Sequence, residues 1–483
     1  MGVGVTFLPA PVKERTGRMR RVLFLLALVA AMVFACAGVV LAQQGSQTPD
    51  NQQKNTSDPA ERSTGKAGER VPGKYIVLFK DDAVENPQQA ANEKAQQYGL
   101  GLDKVYEHAV KGFSATIPEA RLAAVREDPQ VQKVEQVVLQ EIVDDEMPTG
   151  VDRAEGDQNT KANSGSANTV SVNKAVAIID TGLYKHADLD VKGGFNATSR
   201  KTSNWSDGNG HGTHVAGTVG AKDNGSGVLG VAPGADLYAA KVCGSDGTCP
   251  TDAMIKGIDW VTGKKQSGEI DFAAANMSIS TPDDKTACSS ASDSLHLAIC
   301  GLVKEGVAFA LAAGNNARLK NAYPEALTVS ALADFDGTGG GLKSSPTCGT
   351  DTTERDDTLA NFSNYGPEVD IAAPGKCIRS TWNNGGYSTI SGTSMATPHV
   401  AGAVALYLHA RGQNPAQSGT EVDAIEAAII GAAKPQGDAC GYTNEHASSD
   451  SSKEPLLFVN STGSDSSSFG GSGVCNRLWS STT

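Results

Sequence analysis

At 483 residues the chain is too long for one ordinary domain, and at least two folding units with tails are expected. The formal net charge of -13 and pI near 5.1 argue against a nucleic-acid partner, since phosphate binding needs clustered Lys and Arg. No basic stripe occurs beyond the N-terminus.

In chain order, Lys13, Arg15, Arg18, Arg20 and Arg21 precede an uncharged apolar run over residues 22–42. This reads as a signal peptide (1–42) cleaved after Ala42, where Val40 and Ala42 are small enough for the signal peptidase. The run is also long enough for a membrane anchor, and a lipid-modified Cys36 is a third option. The polar tract that follows, without flanking basic residues, favours cleavage and a secreted chain without stable membrane association. Residues 43–73 have almost nothing to bury and read as a disordered linker.

Residues 74–143 form a small α+β unit: strands at 75–79, 112–117 and 131–140, helices at 86–98 and 119–126. A polar Gly/Asn/Ser-rich surface segment (144–173) then opens a larger unit, 144–460. Its apolar runs at 175–179, 237–242, 272–277, 308–313 and 327–332 lack polar alternation. Such runs suit strands buried on both faces, so the fold class is α/β, a three-layer domain with a mostly parallel central sheet. A Ser/Gly-rich tail (461–483) ends the chain.

Of nine cysteines, Cys36 leaves with the signal peptide. The other eight, Cys243, Cys249, Cys288, Cys300, Cys348, Cys377, Cys440 and Cys475, favour disulfides in an exported chain, with sequential pairing expected among many connectivities. Zinc is the rival, but no Cys-x-x-Cys pair occurs.

Three glycine-bounded clusters can carry chemistry. Val176-Ala177-Ile178-Ile179-Asp180-Thr181-Gly182 puts a carboxylate at the carboxyl end of a buried strand, where parallel sheets build their sites; alone, it reads as a helix or turn cap. Gly210-His211-Gly212-Thr213-His214-Val215-Ala216-Gly217 opens a helix with two histidines. A zincin would need Glu where Gly212 stands and His where Val215 stands, so His211 reads as a catalytic imidazole and His214 as structural. Gly392-Thr393-Ser394-Met395-Ala396-Thr397-Pro398 places a hydroxyl at the mouth of an apolar helix. Ala396 breaks the Gly-x-Ser-x-Gly elbow of an α/β-hydrolase esterase, and a plain N-cap is the alternative.

Taken together, the order Asp, His, Ser and these three motifs resemble the signature of the subtilisin-like serine proteases. The resemblance implies a secreted serine endopeptidase in which Ser394 attacks, His211 acts as base and acid, and Asp180 orients the ring. Ala312-Ala313-Gly314-Asn315 resembles the oxyanion segment, with the Asn315 amide as donor beside the Ser394 N–H. Ser278-Ile279-Ser280 and Ala312, Ala313 and Gly314 would wall the primary pocket, and Gly247-Thr248 would form the outer substrate edge. The family's Leu-Gly-Gly is replaced here by Ile279-Ser280-Thr281, and a Cys243–Cys249 bridge would stiffen the outer loop. Asp188 with Lys222, Asn224, Ser226 and Val228 resembles a structural Ca2+ site; an ordinary Asx/Gly turn is the alternative. Residues 74–143, with His108-Ala109-Val110-Lys111-Gly112-Phe113-Ser114-Ala115, resemble the family's inhibitory propeptide, to be cut between Gln140 and Met147. Residues 455–458 look like its closing strand. Partners implied are protein or peptide substrates and the chain's own propeptide, and a monomer is expected. A binding protein that keeps its propeptide lodged is the competing class, opposed by the filled catalytic positions.

Overall fold

Strand β1 (Arg70–Phe79) explains why residues 75–79 read as an unbroken apolar run. Tyr75, Val77 and Phe79 pack with Phe113, Ala115, Leu122 and Val125, whereas Ile76 and Leu78 point the other way, into the core of the larger domain. The small sheet therefore buries both faces. The computed structural model describes residues 70–80, 82–141, 150–154, 171–224, 227–320, 322–337, 339, 348, 354–437, 441–443 and 454–459.

After β1 come α1 (Pro87–Tyr98), β2 (Gly101–Tyr106), β3 (Gly112–Thr116), α2 (Glu119–Arg126) and β4 (Val131–Glu141), with antiparallel pairing in the order β2-β3-β1-β4. Helix α1 starts where the sequence indicates: Asn86 accepts the Gln89 N–H at 2.9 Å and Pro87 takes the first turn. Two differences stand out. Strand β1 begins at Arg70, inside the stretch expected as linker, because Arg70 pairs with Val138 and the Gln136 amide donates to the Val71 carbonyl at 3.0 Å. Strand β2 was not expected, since its Gly, Asp and Lys obscure the alternation.

The larger domain holds β5 (Ala175–Asp180), β6 (Val191–Asn196), α3 (His211–Gly220), β7 (Asp236–Lys241), β8 (Thr248–Pro250), α4 (Thr251–Gln266), β9 (Phe272–Met277), α5 (Ser294–Lys304), β10 (Ala308–Ala312) and β11 (Leu327–Ala333). It continues with β12 (Thr358–Leu359), β13 (Ile371–Pro374), β14 (Ile378–Thr381), β15 (Tyr387–Ile390), α6 (Thr393–Ala410) and α7 (Gly419–Ala432). The main sheet runs β12-β11-β10-β9-β5-β7-β6 with β13 on β11; every pairing is parallel except β11 with β12. Strand order departs from β5 in both directions, toward β7 and toward β9, so the carboxyl end of β5 lies at a topological switch point. Helix α6 is buried from Thr393 to Leu408, the apolar centre of the domain.

The small unit sits on α4 and α5. Asp259 of α4 accepts the backbone N–H groups of Glu107 at 2.9 Å, Ala109 at 3.0 Å and His108. Lys104 pairs with Asp252 at 2.6 Å, and Glu135 accepts the Ser294 N–H at the start of α5 at 3.1 Å. Strand β4 continues onto the larger domain by pairing antiparallel with β8, Leu139 opposite Pro250 and Glu141 opposite Thr248.

Three expected disulfides are formed: Cys243–Cys249, Cys288–Cys300 and Cys348–Cys377. The Cys440–Cys475 pairing, residues 1–42 and the tail lie outside the described residues. Within the stretch expected as a polar surface segment, Arg153 is buried instead, 2.6 Å from Asp334 and 2.8 Å from Asp357. Of the expected closing strand, Leu456 makes only single bridges to Ala372 and Lys434. Among the described residues no helix is long and apolar enough to cross a membrane.

Candidate active site

Asp180 ends β5, and His211 is the first residue of α3. The His211 Nδ1 and Asp180 Oδ1 lie 2.7 Å apart, both side chains fully buried. Close approach needs glycine at 212, because a Cβ there would stand 2.3 Å from the Gly182 carbonyl and 3.2 Å from Asp180 Oδ1. The Asp180 carboxylate also accepts the Thr181 N–H at 2.7 Å. A carboxylate on Nδ1 fixes the ring's orientation and directs Nε2 away from it, as a general base requires.

Motif reading missed the residue that ties these two elements together, Asp207. Its Oδ1 accepts the Thr181 hydroxyl at 2.9 Å and the Gly210 N–H at 2.9 Å, and its Oδ2 accepts the Thr213 N–H at 3.0 Å and the Thr213 hydroxyl at 2.5 Å. It thus caps α3 from outside the usual cap position. An acidic residue shortly before the His motif was the available signal. His214 is fully buried with Nε2 on the Ile378 carbonyl at 2.9 Å, and burial, with the nearby His211, pushes it down to about 3. Burial thus keeps this imidazole neutral.

Ser394 is the second residue of α6, where backbone N–H groups lack helical acceptors. In this structure its hydroxyl donates to the Ser278 carbonyl at 3.1 Å. Asn315 follows β10, and its Oδ1 accepts both the N–H (3.0 Å) and the hydroxyl (2.8 Å) of Thr393. Two donors on the oxygen fix which end of the Asn315 amide is the acceptor. Thr393 also accepts the Gly314 N–H at 3.0 Å, and Asn364 holds the same loop through the Ala313 carbonyl (2.8 Å) and the Asn316 N–H (3.0 Å). Neither Thr393 nor Asn364 was singled out from sequence.

The expected substrate segments follow strands β9 and β10, the second of them running into this loop. Ser278 and Ile279 are buried at the end of β9 with Ser280 partly open, and Ala312 and Ala313 are buried at the end of β10. Gly247 has φ 83°, and Thr248 begins β8, whose edge strand β4 occupies.

Of the residues expected to hold Ca2+, Ser226 lies outside the described set. The others converge. Asp188, 2% exposed, accepts the Asn224 amide at 2.6 Å and the Val228 N–H at 3.1 Å, and its backbone carbonyl accepts the Lys222 N–H at 2.9 Å. The Asp188 carboxylate also accepts the Tyr387 hydroxyl at 3.3 Å, so its partners here are all donors; a hard cation would need the Asn224 amide turned to present its oxygen and main-chain carbonyls in place of these N–H groups. Cys288, His296, Cys300 and Glu325 also cluster, but both sulfurs are spent in a disulfide. The sequon residue Asn196 is fully buried, its amide donating to the Asn204 carbonyl at 2.6 Å, and so is closed to glycosylation in the folded chain.

Comparison with known proteins places this geometry. Residues 172–465 match the subtilase family model and residues 74–137 match the peptidase inhibitor I9 model. An alkaline protease of Alkalihalobacillus alcalophilus is 31% identical over 369 residues, covering 74% of this chain and 87% of that protein. Subtilisin BL of Lederbergia lenta is 38% identical over 51% of this chain and 79% of its own length. Subtilisin NAT of Bacillus subtilis subsp. natto is 34% identical over 69% of this chain and 80% of its own length. With the peptidase model on the larger unit and the inhibitor model on the smaller, the chain belongs to the subtilase family, a serine endopeptidase made as a zymogen with its own inhibitory segment.

Proposed function

We propose that Ser394 is the nucleophile, His211 the general base and acid, Asp180 its orienting carboxylate and Asn315 the oxyanion donor. The observation that carries this reading is the buried 2.7 Å Asp180–His211 pair at the carboxyl end of β5, in the sheet whose strand β10 leads to Asn315, with the Asn315 oxygen held by Thr393 at the start of α6. Rotation about the Ser394 Cα–Cβ bond turns its hydroxyl from the Ser278 carbonyl to His211, which takes the proton as the oxygen attacks the peptide carbonyl. The oxyanion is met by the Asn315 Nδ2 and the Ser394 N–H, and His211 returns the proton to the leaving amine. Water then cleaves the acyl-enzyme by the same relay.

An extended peptide lies against β8 at Gly247 and Thr248 and beside Ser278, Ile279 and Ser280, with Ala312, Ala313 and Gly314 closing the pocket. Strand β4 supports this, because it already pairs with β8 as a substrate would. Cleavage between Gln140 and Met147 releases the enzyme. The chain is exported as a monomer, residues 1–42 being the signal.

Asp188, Lys222, Asn224, Ser226 and Val228 hold a structural Ca2+, which ties the loop after α3 to the segment before β6 and takes no part in the chemistry. Chelator should lower Tm by several degrees, reversibly with added Ca2+; an unchanged Tm would remove the ion from the account. The triad is tested by treating the mature protein with phenylmethanesulfonyl fluoride and mapping the adduct. One adduct on Ser394 with loss of casein hydrolysis is expected; an adduct elsewhere, or hydrolysis that survives full labelling, would contradict the assignment.

A further inference from the structure

In an unbroken helix the carbonyl of Ser394 would accept the N–H of the residue four positions on, but that residue is Pro398, which has none. The carbonyl is buried with the rest of Ser394, 2% exposed, so it needs another donor. Ser278 supplies it: its hydroxyl donates to the Ser394 carbonyl at 2.7 Å. The Ser278 hydroxyl in turn accepts from the Asn276 amide at 2.9 Å, and both Ser278 and Asn276 are fully buried.

We propose that Ser278, held by Asn276, is a positioning residue that replaces the hydrogen bond missing at Pro398 and so fixes the peptide plane from which the Ser394 hydroxyl projects. The proposal rests on Ser394 being the nucleophile. Its physical content is a chain of three observations. A proline just inside the helix frees the carbonyl of the reacting residue. The strand that walls the substrate cleft then takes hold of that carbonyl, so the nucleophile is tied to β9 and not only to its own helix. Because the Ser278 carbonyl meanwhile accepts the Ser394 hydroxyl at 3.1 Å, the two serines brace each other in both directions. A tilt of this peptide plane moves the hydroxyl relative to both His211 and the bound carbonyl, which penalises reaction more than binding.

The test compares the mature wild-type enzyme with Ser278→Ala, Ser278→Thr, Pro398→Ala and the double variant Ser278→Ala/Pro398→Ala. Measured are kcat, KM and the rate of phenylmethanesulfonyl fluoride labelling. Ser278→Ala should lower kcat and the labelling rate about tenfold while KM stays within about twofold. Ser278→Thr keeps the hydroxyl but adds a methyl group to a fully buried site, so it should recover only part of what Ser278→Ala loses. Pro398→Ala restores the helical N–H, so the double variant should recover most of the loss. If Ser278→Ala keeps both rates, or the double variant recovers nothing although Pro398→Ala alone is active, the proposal is overturned. Should Ser278→Ala fail to mature, the double variant still decides: it must mature and label at a near wild-type rate. A wild-type enzyme that is not labelled at Ser394 would instead sink the nucleophile assignment itself.

Discussion

Ser394, His211, Asp180 and Asn315 each stand at the end of a strand or the start of a helix, where a single side chain can be aimed without bending the element behind it. Two other histidines, His214 and His399, are also fully buried. Burial pushes His214 down to about 3 and His399 down to about 4, so both stay uncharged where an ordinary imidazole titrates. Proton removal from Ser394 requires neutral His211, so kcat/KM must fall as the pH drops, and the fall should be that of one ionisation. A slope of two protons in the acid limb would show that a second histidine takes part. The three motifs made the proposed reacting residues legible because each keeps its glycine, acidic or hydroxyl neighbours together in sequence. Thr393, Asn364 and the Ser278 brace were not legible, since each acts on a partner that only folding brings near: Thr393 on Asn315, Asn364 on Ala313, Ser278 on Ser394.

At the scale of elements, the propeptide sheet docks on α4 and α5 by polar caps as well as by apolar contact. Asp252, fully buried in α4, would be raised by burial, but Lys104 of β2 outweighs this and holds its carboxyl below the usual range. The pair therefore favours the inhibited complex at neutral pH, and that contribution is lost as the pH falls through the lowered Asp252 value. Lys104→Met leaves the carboxylate buried and unpaired, so in the full chain the inhibited state should dissociate about tenfold faster. The lag before casein hydrolysis would be shortened; an unchanged lag would mean that the pair adds nothing to docking. The strands β5, β7, β9, β10 and β11 were readable because burial on both faces leaves plain apolar runs. Strands β6, β14 and β15 were not, being short or broken by Gly193 and Gly194, and β2 lost its pattern to Asp103 and Lys104.

Across the whole molecule, the larger domain is closed by a buried ion pair that composition did not reveal. Arg153, 3% exposed, lies between Asp334 and Asp357, so residues 150–154 are clamped beside the end of β11. Burial pushes Asp334 up to about 8 even with Arg153 beside it, so at neutral pH Arg153→Met leaves chiefly Asp357 without its cation and should cost about 3 kcal/mol of stability, read as a lower midpoint in denaturant. A loss under about 1 kcal/mol would show that the cluster is already neutral without the arginine. In the proposed mechanism one nucleophile serves both maturation and hydrolysis. The most direct test is the intact mass and N-terminal sequence of purified Ser394→Ala beside the wild type: the wild type should lose its propeptide between Gln140 and Met147, and the variant should retain it and hydrolyse no casein. A Ser394→Ala protein that matures unaided to the wild-type N-terminus would contradict the assignment.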